Sequence, residues 1–230
     1  MNTPTQTFEF TTPTGVLVFP KLNAPDCFFK AHGEYSTRLR LNREAPGVES
    51  LIRRLKEIHS QALGLAHQKR NSLEVGGIPP INGAPFFRNT DDNGIRIPDY
   101  IELNFKIAAS KKFTWGPDRG KILYYRPAII GPDGASIIRG LDGVEAKSED
   151  DKKTFVMPLK PEISGGTFAK VNFEVVTIKG APGFYIERSG LAGISLRLKC
   201  VRIVRFPPVS FSPSEFQQKI MDEIFSRHGR

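Results

Sequence analysis

A chain of 230 residues with 39% hydrophobic content is long enough for one sizeable core and too apolar for global disorder. Its 33 Lys and Arg against 24 Asp and Glu, a formal charge of +9, point to a polyanionic partner, nucleic acid ahead of an anionic membrane surface. No apolar run reaches the ~18 residues of a membrane helix, the Thr-rich start is not a signal peptide, and two cysteines, Cys27 and Cys200, exclude a disulfide framework and lack metal-site spacing.

Residues 1–14 carry Thr and Pro without periodicity and read as a flexible arm. Gly15 to Phe19 is a short apolar run ended by Pro20, a first strand. From Gly33 to Leu41 the chain alternates, with Tyr35, Thr37, Leu39 and Leu41 on one face and Ser36, Arg38 and Arg40 on the other. That is a half-buried strand with a basic outer face. A helix follows: Pro46 suits its first turn, and Leu51, Leu55, Ile58, Ala62 and Leu65 recur at helical spacing. His59 and His67, eight residues apart on it, have no third ligand nearby and read as amphipathic surface residues.

Asn71 to Pro98, rich in Gly, Pro and Asn, reads as a long structured loop. Tyr100 to Ser110 alternates again, with Ile101, Leu103, Phe105 and Ile107 facing in and Glu102, Asn104 and Lys106 facing out. A turn containing Trp115, Gly116 and Pro117 leads to a short strand over Ile122 to Arg126, and Gly131-Pro132-Asp133-Gly134 is a turn. Asp142 to Asp151 is locally acidic and reads as a solvated excursion. Phe168 to Ile178 and Ile194 to Phe206 are the longest strands, and the alternation of the second slips near Cys200, as at a bulge. Ser214 caps a C-terminal helix with the stripe Phe216, Ile220 and Ile224. The fold class is mainly β: about six strands without βαβ alternation favour a small antiparallel barrel.

Catalytic patterns are weak. Gly116-Pro117-Asp118-Arg119-Gly120-Lys121 has three residues between its glycines and Ile122 where a phosphate loop needs Ser or Thr. Asp91 and Asp92 with Glu102 are the one carboxylate set that would hold a metal for phosphodiester hydrolysis, although adjacent aspartates usually form turns. No cofactor or metal site is expected.

Binding patterns are stronger. Single-stranded nucleic acid needs cations to track phosphates and aromatic faces to stack on bases. Lys106, Lys111, Lys112, Arg119, Lys121 and Arg126 outnumber Glu102 and Asp118, interleaved with Trp115, Tyr124 and Tyr125. Further on, Lys170, Lys179, Arg188, Arg197, Lys199, Arg202 and Arg205 outnumber Glu174 and Glu187, with Phe168, Phe184 and Tyr185 among them. Phase decides orientation: Arg38, Arg40, Lys106, Lys170, Arg197 and Lys199 alternate with core positions and point outward, whereas Phe105 and Phe173 point in. Composition and phase give a basic β-barrel suited to nucleic acid.

Four motifs go further. Gly33-x-Tyr35 before Leu39, Pro85-Phe86-Phe87-x-Asn89-x-Asp91, Gly165-Gly166-Thr167-x-x-Lys170-Val171 and Gly193-Ile194-Ser195-x-x-Leu198-x-x-Val201-x-x-Val204 occur in order over residues 15–206. Together they resemble the single-stranded DNA-binding proteins of tailed bacteriophages. The resemblance implies an oligonucleotide/oligosaccharide-binding (OB) barrel over 15–206 with a long helix inserted after the second strand, and a C-terminal extension, 207–230, with a short helix. It implies a non-enzymatic protein of the infected bacterial cytoplasm that coats single strands during replication and recombination. Implied partners are the phage polymerase and helicase-primase; a homodimer stays open, and a membrane role is not implied.

Residue by residue, Lys106 matches a DNA-contacting basic position and Lys170 the lysine after the Gly-Gly turn. His32 stands where relatives carry a DNA-contacting arginine, so Lys30 would substitute. Ile178 stands where relatives carry a groove aromatic, passing stacking to Phe184 and Tyr185. Relatives commonly end in an acidic tail; here the sequence ends Phe225-Ser226-Arg227-His228-Gly229-Arg230, so either a tail was removed or the amphipathic helix replaces it. Rival readings are a metal-dependent nuclease and a basic structural or interaction protein.

Overall fold

The computed structural model describes residues 7–28, 32–72, 80–90, 93–158, 160–176, 184–186 and 189–207. Five long strands form its centre: β1 (Gly15–Asp26), β2 (Glu34–Asn42), β3 (Tyr100–Ala108), β4 (Phe168–Val176) and β5 (Leu196–Arg205). The helix α1 (Val48–Ser72) lies between β2 and β3 in sequence, and α2 (Glu149–Val156) between β3 and β4. Strand neighbours run β1-β2-β3-β5-β4 and back to β1, antiparallel except for the parallel β3–β5 pair. That closed ring is the OB barrel, with the long helix after its second strand.

Closure is made by a few residues of β1. Val16 and Gly15 pair with Phe168 and Ala169, Leu17 N donates to the Thr167 carbonyl (2.9 Å), and Gly166 N donates to the Leu17 carbonyl (3.0 Å). Gly15 has no room for a side chain: a Cβ there would lie 2.6 Å from the Arg40 carbonyl oxygen. The strand does not stop at Pro20. It runs on to Asp26 through a register shift between Val18 and Lys21, with Phe19 at φ 47. Proline lacks only the N–H, which a bulge leaves unpaired anyway.

The N-terminal segment is a second departure from expectation. Thr7–Thr11 is a strand pairing with Asn172–Val176, and Thr12 continues the seam, its Oγ1 accepting from Val171 N (2.9 Å). Phe8 and Phe10 pack against the core, Phe10 stacking on Phe173 with ring centroids 5.4 Å apart. The Thr-Phe-Glu-Phe-Thr alternation was present in the sequence, hidden by the Thr and Pro around it.

Inside, the alternation read from sequence holds. Tyr35, Leu39, Leu41, Leu103, Phe105, Val171, Phe173, Leu198 and Val201 are buried, joined by Leu51, Leu55, Ile58 and Ala62 of α1. Leu65, expected in the stripe, is half-buried, and Ala66 takes the buried place. Asn172 pairs with Cys200 and Phe173 with Leu198, so Lys199 is the extra residue of a bulge, which accounts for the slip in alternation. His59 is not a plain surface residue: its Nε2 donates to the Ala84 carbonyl (3.0 Å) and its ring packs on Phe86. Both cysteines are free, and burial pushes the Cys200 thiol up. Within the helices described, no stretch is long and apolar enough to cross a membrane.

A three-stranded sheet grows from the end of β3. Ser110–Lys112 pairs with Ile122–Arg126, which pairs with Leu141–Glu145. The expected turn at Gly131–Gly134 is present, with Gly134 at φ 83 and its N–H donated to the Gly131 carbonyl. The acidic excursion is partly structured: Ser148 and Asp151 form a reciprocal cap for α2. The proposed C-terminal helix lies outside the described residues.

Because Phe173 contacts both Phe105 inside the barrel (4.9 Å) and Phe10 on the added strand, it joins the two. Phe173→Ala is expected to lower stability by about 3–5 kcal/mol, read from urea unfolding.

Candidate nucleic-acid interface

The outward faces of β1, β2, β3 and β5 line up in rows set by register. One row runs Lys21–Ser36–Lys106–Arg197, the next Val18–Arg38–Asn104, and a third Val16–Arg40–Glu102. Sequence-distant candidates thus meet on one surface, as their phase implied. Lys106 is exposed and has no ion-pair partner among the described residues.

Its neighbours are engaged. Glu102, with its side chain 2% exposed, accepts from Arg38 Nη1 (3.2 Å) and from Arg40 Nε (2.9 Å) and Nη2 (2.6 Å). Arg197 and Lys199 each sit between two carboxylates, Glu174 and Asp142. Four of the predicted phosphate-binding cations are therefore paired internally, and the face is less positive than the Lys and Arg alone would make it. Single-residue alternation reports that a side chain points outward but not what stands beside it.

The aromatics also sort. Tyr124 is buried and packs on Phe155 of α2 with ring centroids 5.3 Å apart, so its ring is not free to stack on a base. Tyr125 is half-buried, packs against the core and lies under the Arg197 guanidinium at 5.2 Å. Trp115 is 83% exposed at the end of the hairpin. Its loop is held by Phe113 N to the Lys121 carbonyl (3.0 Å) and Gly120 N to the Phe113 carbonyl (2.8 Å), with positive φ at Gly116 and Gly120. The ring is presented on an ordered turn rather than a loose loop.

Lys111 and Lys112 line one strand of this hairpin, Lys111 lying over the Phe113 ring, while Lys121 is paired with Asp118 (2.7 Å). Lys170 is exposed but pairs in register with Arg202, five residues along β5 from Arg197, roughly 16 Å at strand rise. It belongs to a separate basic patch. Lys30, Ile178, Asp91 and Asp92 lie outside the described residues. For Phe184 and Tyr185 only the backbone strand Phe184–Ile186, paired with Leu191–Ile194, is described.

Two aromatics escaped the sequence reading. Phe19 is 56% exposed with the Arg38 guanidinium 4.9 Å over its ring, and its positive φ is an outlier for a bulky residue. The bulge at Pro20 turns it onto the outer face beside the Arg38 row. Phe28, 84% exposed, sits in the β1–β2 loop. That loop is tied to the hairpin base by Ser110 Oγ donating to the His32 carbonyl (3.2 Å) and Ala109 N to the Gly33 carbonyl (2.9 Å). The signals were Phe19 before Pro20, and Phe28 after Pro25 and Asp26. The surface as a whole offers Lys106, without an ion-pair partner among the described residues, buffered arginines, the Phe19 ring beside the Arg38 row and the Phe28 and Trp115 rings at the Glu34–Ala108 end, which suits phosphates and unpaired bases.

No protein-family model matches the chain, and no curated protein matches it in sequence. Among solved structures, gp2.5, a single-stranded DNA-binding protein encoded by bacteriophage T7, is similar at TM-score 0.60 and 17% identity, covering 93% of this chain and 94% of that one. The single-stranded DNA-binding protein of bacteriophage Enc34 in complex with single-stranded DNA aligns at TM-score 0.48 and 14% identity over 89% of each chain. At this identity the T7 likeness establishes a shared fold.

Glu102 anchors Arg38 and Arg40, and so ties two neighbouring rows together. Glu102→Gln is expected to destabilise the protein by about 2–3 kcal/mol, less than for a fully buried pair because both arginines keep some solvent, as measured by chemical unfolding.

Proposed function

We propose that this chain binds single-stranded DNA without sequence preference, coating exposed strands during phage DNA replication and recombination. The observation that carries the reading is the row geometry of the barrel face. Phe19, Arg38, Asn104 and Lys106 lie on adjacent strands, β1 to β3, and run toward the end of the barrel where the loop bearing Phe28 and the hairpin bearing Trp115 meet. The second and third strands and the loop before them form the surface on which OB barrels hold oligonucleotides. A shared fold with a phage protein described as binding single-stranded DNA supports the same reading.

Unpaired bases have π-faces that a duplex hides, so exposed rings favour single strands, and stacking tolerates every base. Phosphate contacts from Lys106 and the hairpin lysines add affinity without sequence information. The nuclease alternative is weakened because Glu102, one of its three carboxylates, is already held by two guanidinium groups. The reading includes a non-catalytic role, the cytoplasm of the infected bacterium as its setting, and the phage polymerase and helicase-primase as partners.

Fluorescence anisotropy of labelled oligo-dT and a matched duplex across several salt concentrations tests the proposal. The expected result is tight single-strand binding, weak duplex binding and a slope near −0.7 log units per neutralised phosphate. Equal, weak binding to both strand forms would leave a basic barrel of another kind. Lys106→Glu should weaken binding by about tenfold on every sequence, since a phosphate contact reads no base. Trp115 is the sole tryptophan, so its emission should be quenched on adding oligo-dT, and Trp115→Ala should lose about 1–3 kcal/mol of binding. Unquenched emission would remove the hairpin tip from the site.

A further inference from the structure

Asp142 belongs to the stretch that reads as a solvated excursion, yet it folds back onto the basic strand. It sits opposite Tyr125 in the strand Leu141–Glu145. Its two oxygens go to different cations: Oδ1 accepts from Arg197 Nη2 (2.9 Å) and Oδ2 from Lys199 Nζ (2.7 Å). On their other side Glu174 accepts from Arg197 Nη1 and faces Lys199 Nζ at 3.7 Å.

The two carboxylates are not equivalent. The Glu174 side chain is 5% exposed and anchored on β4, whereas that of Asp142 is 59% exposed. Exposed ion pairs contribute little to stability, so Asp142 is the exchangeable partner and Glu174 the fixed one. Its strand is also the easier to move. Leu141–Glu145 is the edge of the three-stranded sheet, and Gly143, at φ 70, sits at a register shift beside Asp142. The Lys199 hydrogen bond, ahead of its charge and that of Arg197, holds the Asp142 carboxyl below its ordinary range, so it is an anion at neutral pH.

One anion bridging two cations through two oxygens has the donor–acceptor pattern of a phosphodiester with its two non-bridging oxygens. The seat adjoins Lys106, the register partner of Arg197. We propose that Asp142 is an internal occupant of a phosphate seat formed by Arg197 and Lys199, displaced by the DNA backbone when a single strand binds along the barrel face. The inference rests on the single-strand-binding reading and names a residue that sets its affinity. Glu174 keeps both cations aimed outward while the occupant exchanges, so the seat is preformed.

Asp142→Asn removes the competing charge while keeping the side-chain shape. It is expected to tighten oligo-dT binding by roughly three- to tenfold with a salt slope close to that of wild type, since the same phosphate is seated in both and only the cost of displacing the carboxylate is removed. Glu145→Gln removes the same charge from the same strand, where Glu145 has no described contact with Arg197 or Lys199, and should change affinity much less. In a Lys199→Ala background the gain from Asp142→Asn should shrink, since one of the two cations it releases is gone. Asp142→Ser, with thermal unfolding of each variant, repeats the test if the asparagine variant is poorly folded.

Unchanged or weaker binding by both Asp142 variants, or a gain matched by Glu145→Gln, would overturn the proposal. Wild-type protein that binds oligo-dT normally while Asp142→Asn does not tighten sinks this inference alone. Failure of wild type and variants alike to bind single strands sinks the underlying reading with it.

Discussion

Closure of the barrel is the constraint on which the rest depends. A sheet closed on itself commits every strand residue to inside or outside, with no freedom for a register slip, because shifting by one position would turn a whole hydrophobic set outward. The contact that closes it is small: Gly15 and Val16 against Phe168 and Ala169, with Gly166 and Leu17 completing the seam. The strand Thr7–Thr11 takes the rest of the β4 edge, and Thr12 bridges the step between the two partners. An edge that would otherwise present unpaired backbone is thereby satisfied.

Once closed, the barrel places outward-facing cations in rows, and the rows bring carboxylates with them. Glu102 and Glu174 are nearly excluded from water, each tied to basic side chains on neighbouring strands. Such buried acids hold long, flexible cations in fixed directions, which reduces the ordering left for a ligand to impose. The same pairing lowers the net charge of the face. Any affinity of this face for a polyanion would then depend on cations such as Lys106, which has no ion-pair partner among the described residues, and on which carboxylates can be displaced.

The aromatic part of the surface comes from irregular backbone. Phe19 is turned outward by a bulge with a positive φ, Phe28 stands in the β1–β2 loop, and Trp115 sits on a hairpin turn held by its own hydrogen bonds. Regular strands bury their aromatics, as with Phe105 and Phe173. Exposed rings gather where the strand pattern breaks, and there a surface able to stack on bases is built.

Much of this was legible in the sequence because it depends on nearest neighbours. A period of two separates inside from outside on β2 and β3, a period near 3.6 marks α1, and the slip at Cys200 announces the Lys199 bulge. Four short motifs in order pointed to the OB barrel. The partners across strands were not legible. Nothing in the spacing of Asp142 says that it meets Arg197 and Lys199, that Glu102 is shared by Arg38 and Arg40, or that Tyr124 turns inward against Phe155. On the regular strands, residue order alone tells which side chains point out, since that follows from local backbone periodicity. Which of them can meet a ligand, and where a bulge or a neighbouring helix turns an aromatic the other way, depends on distances through space that the order of residues along a chain does not contain.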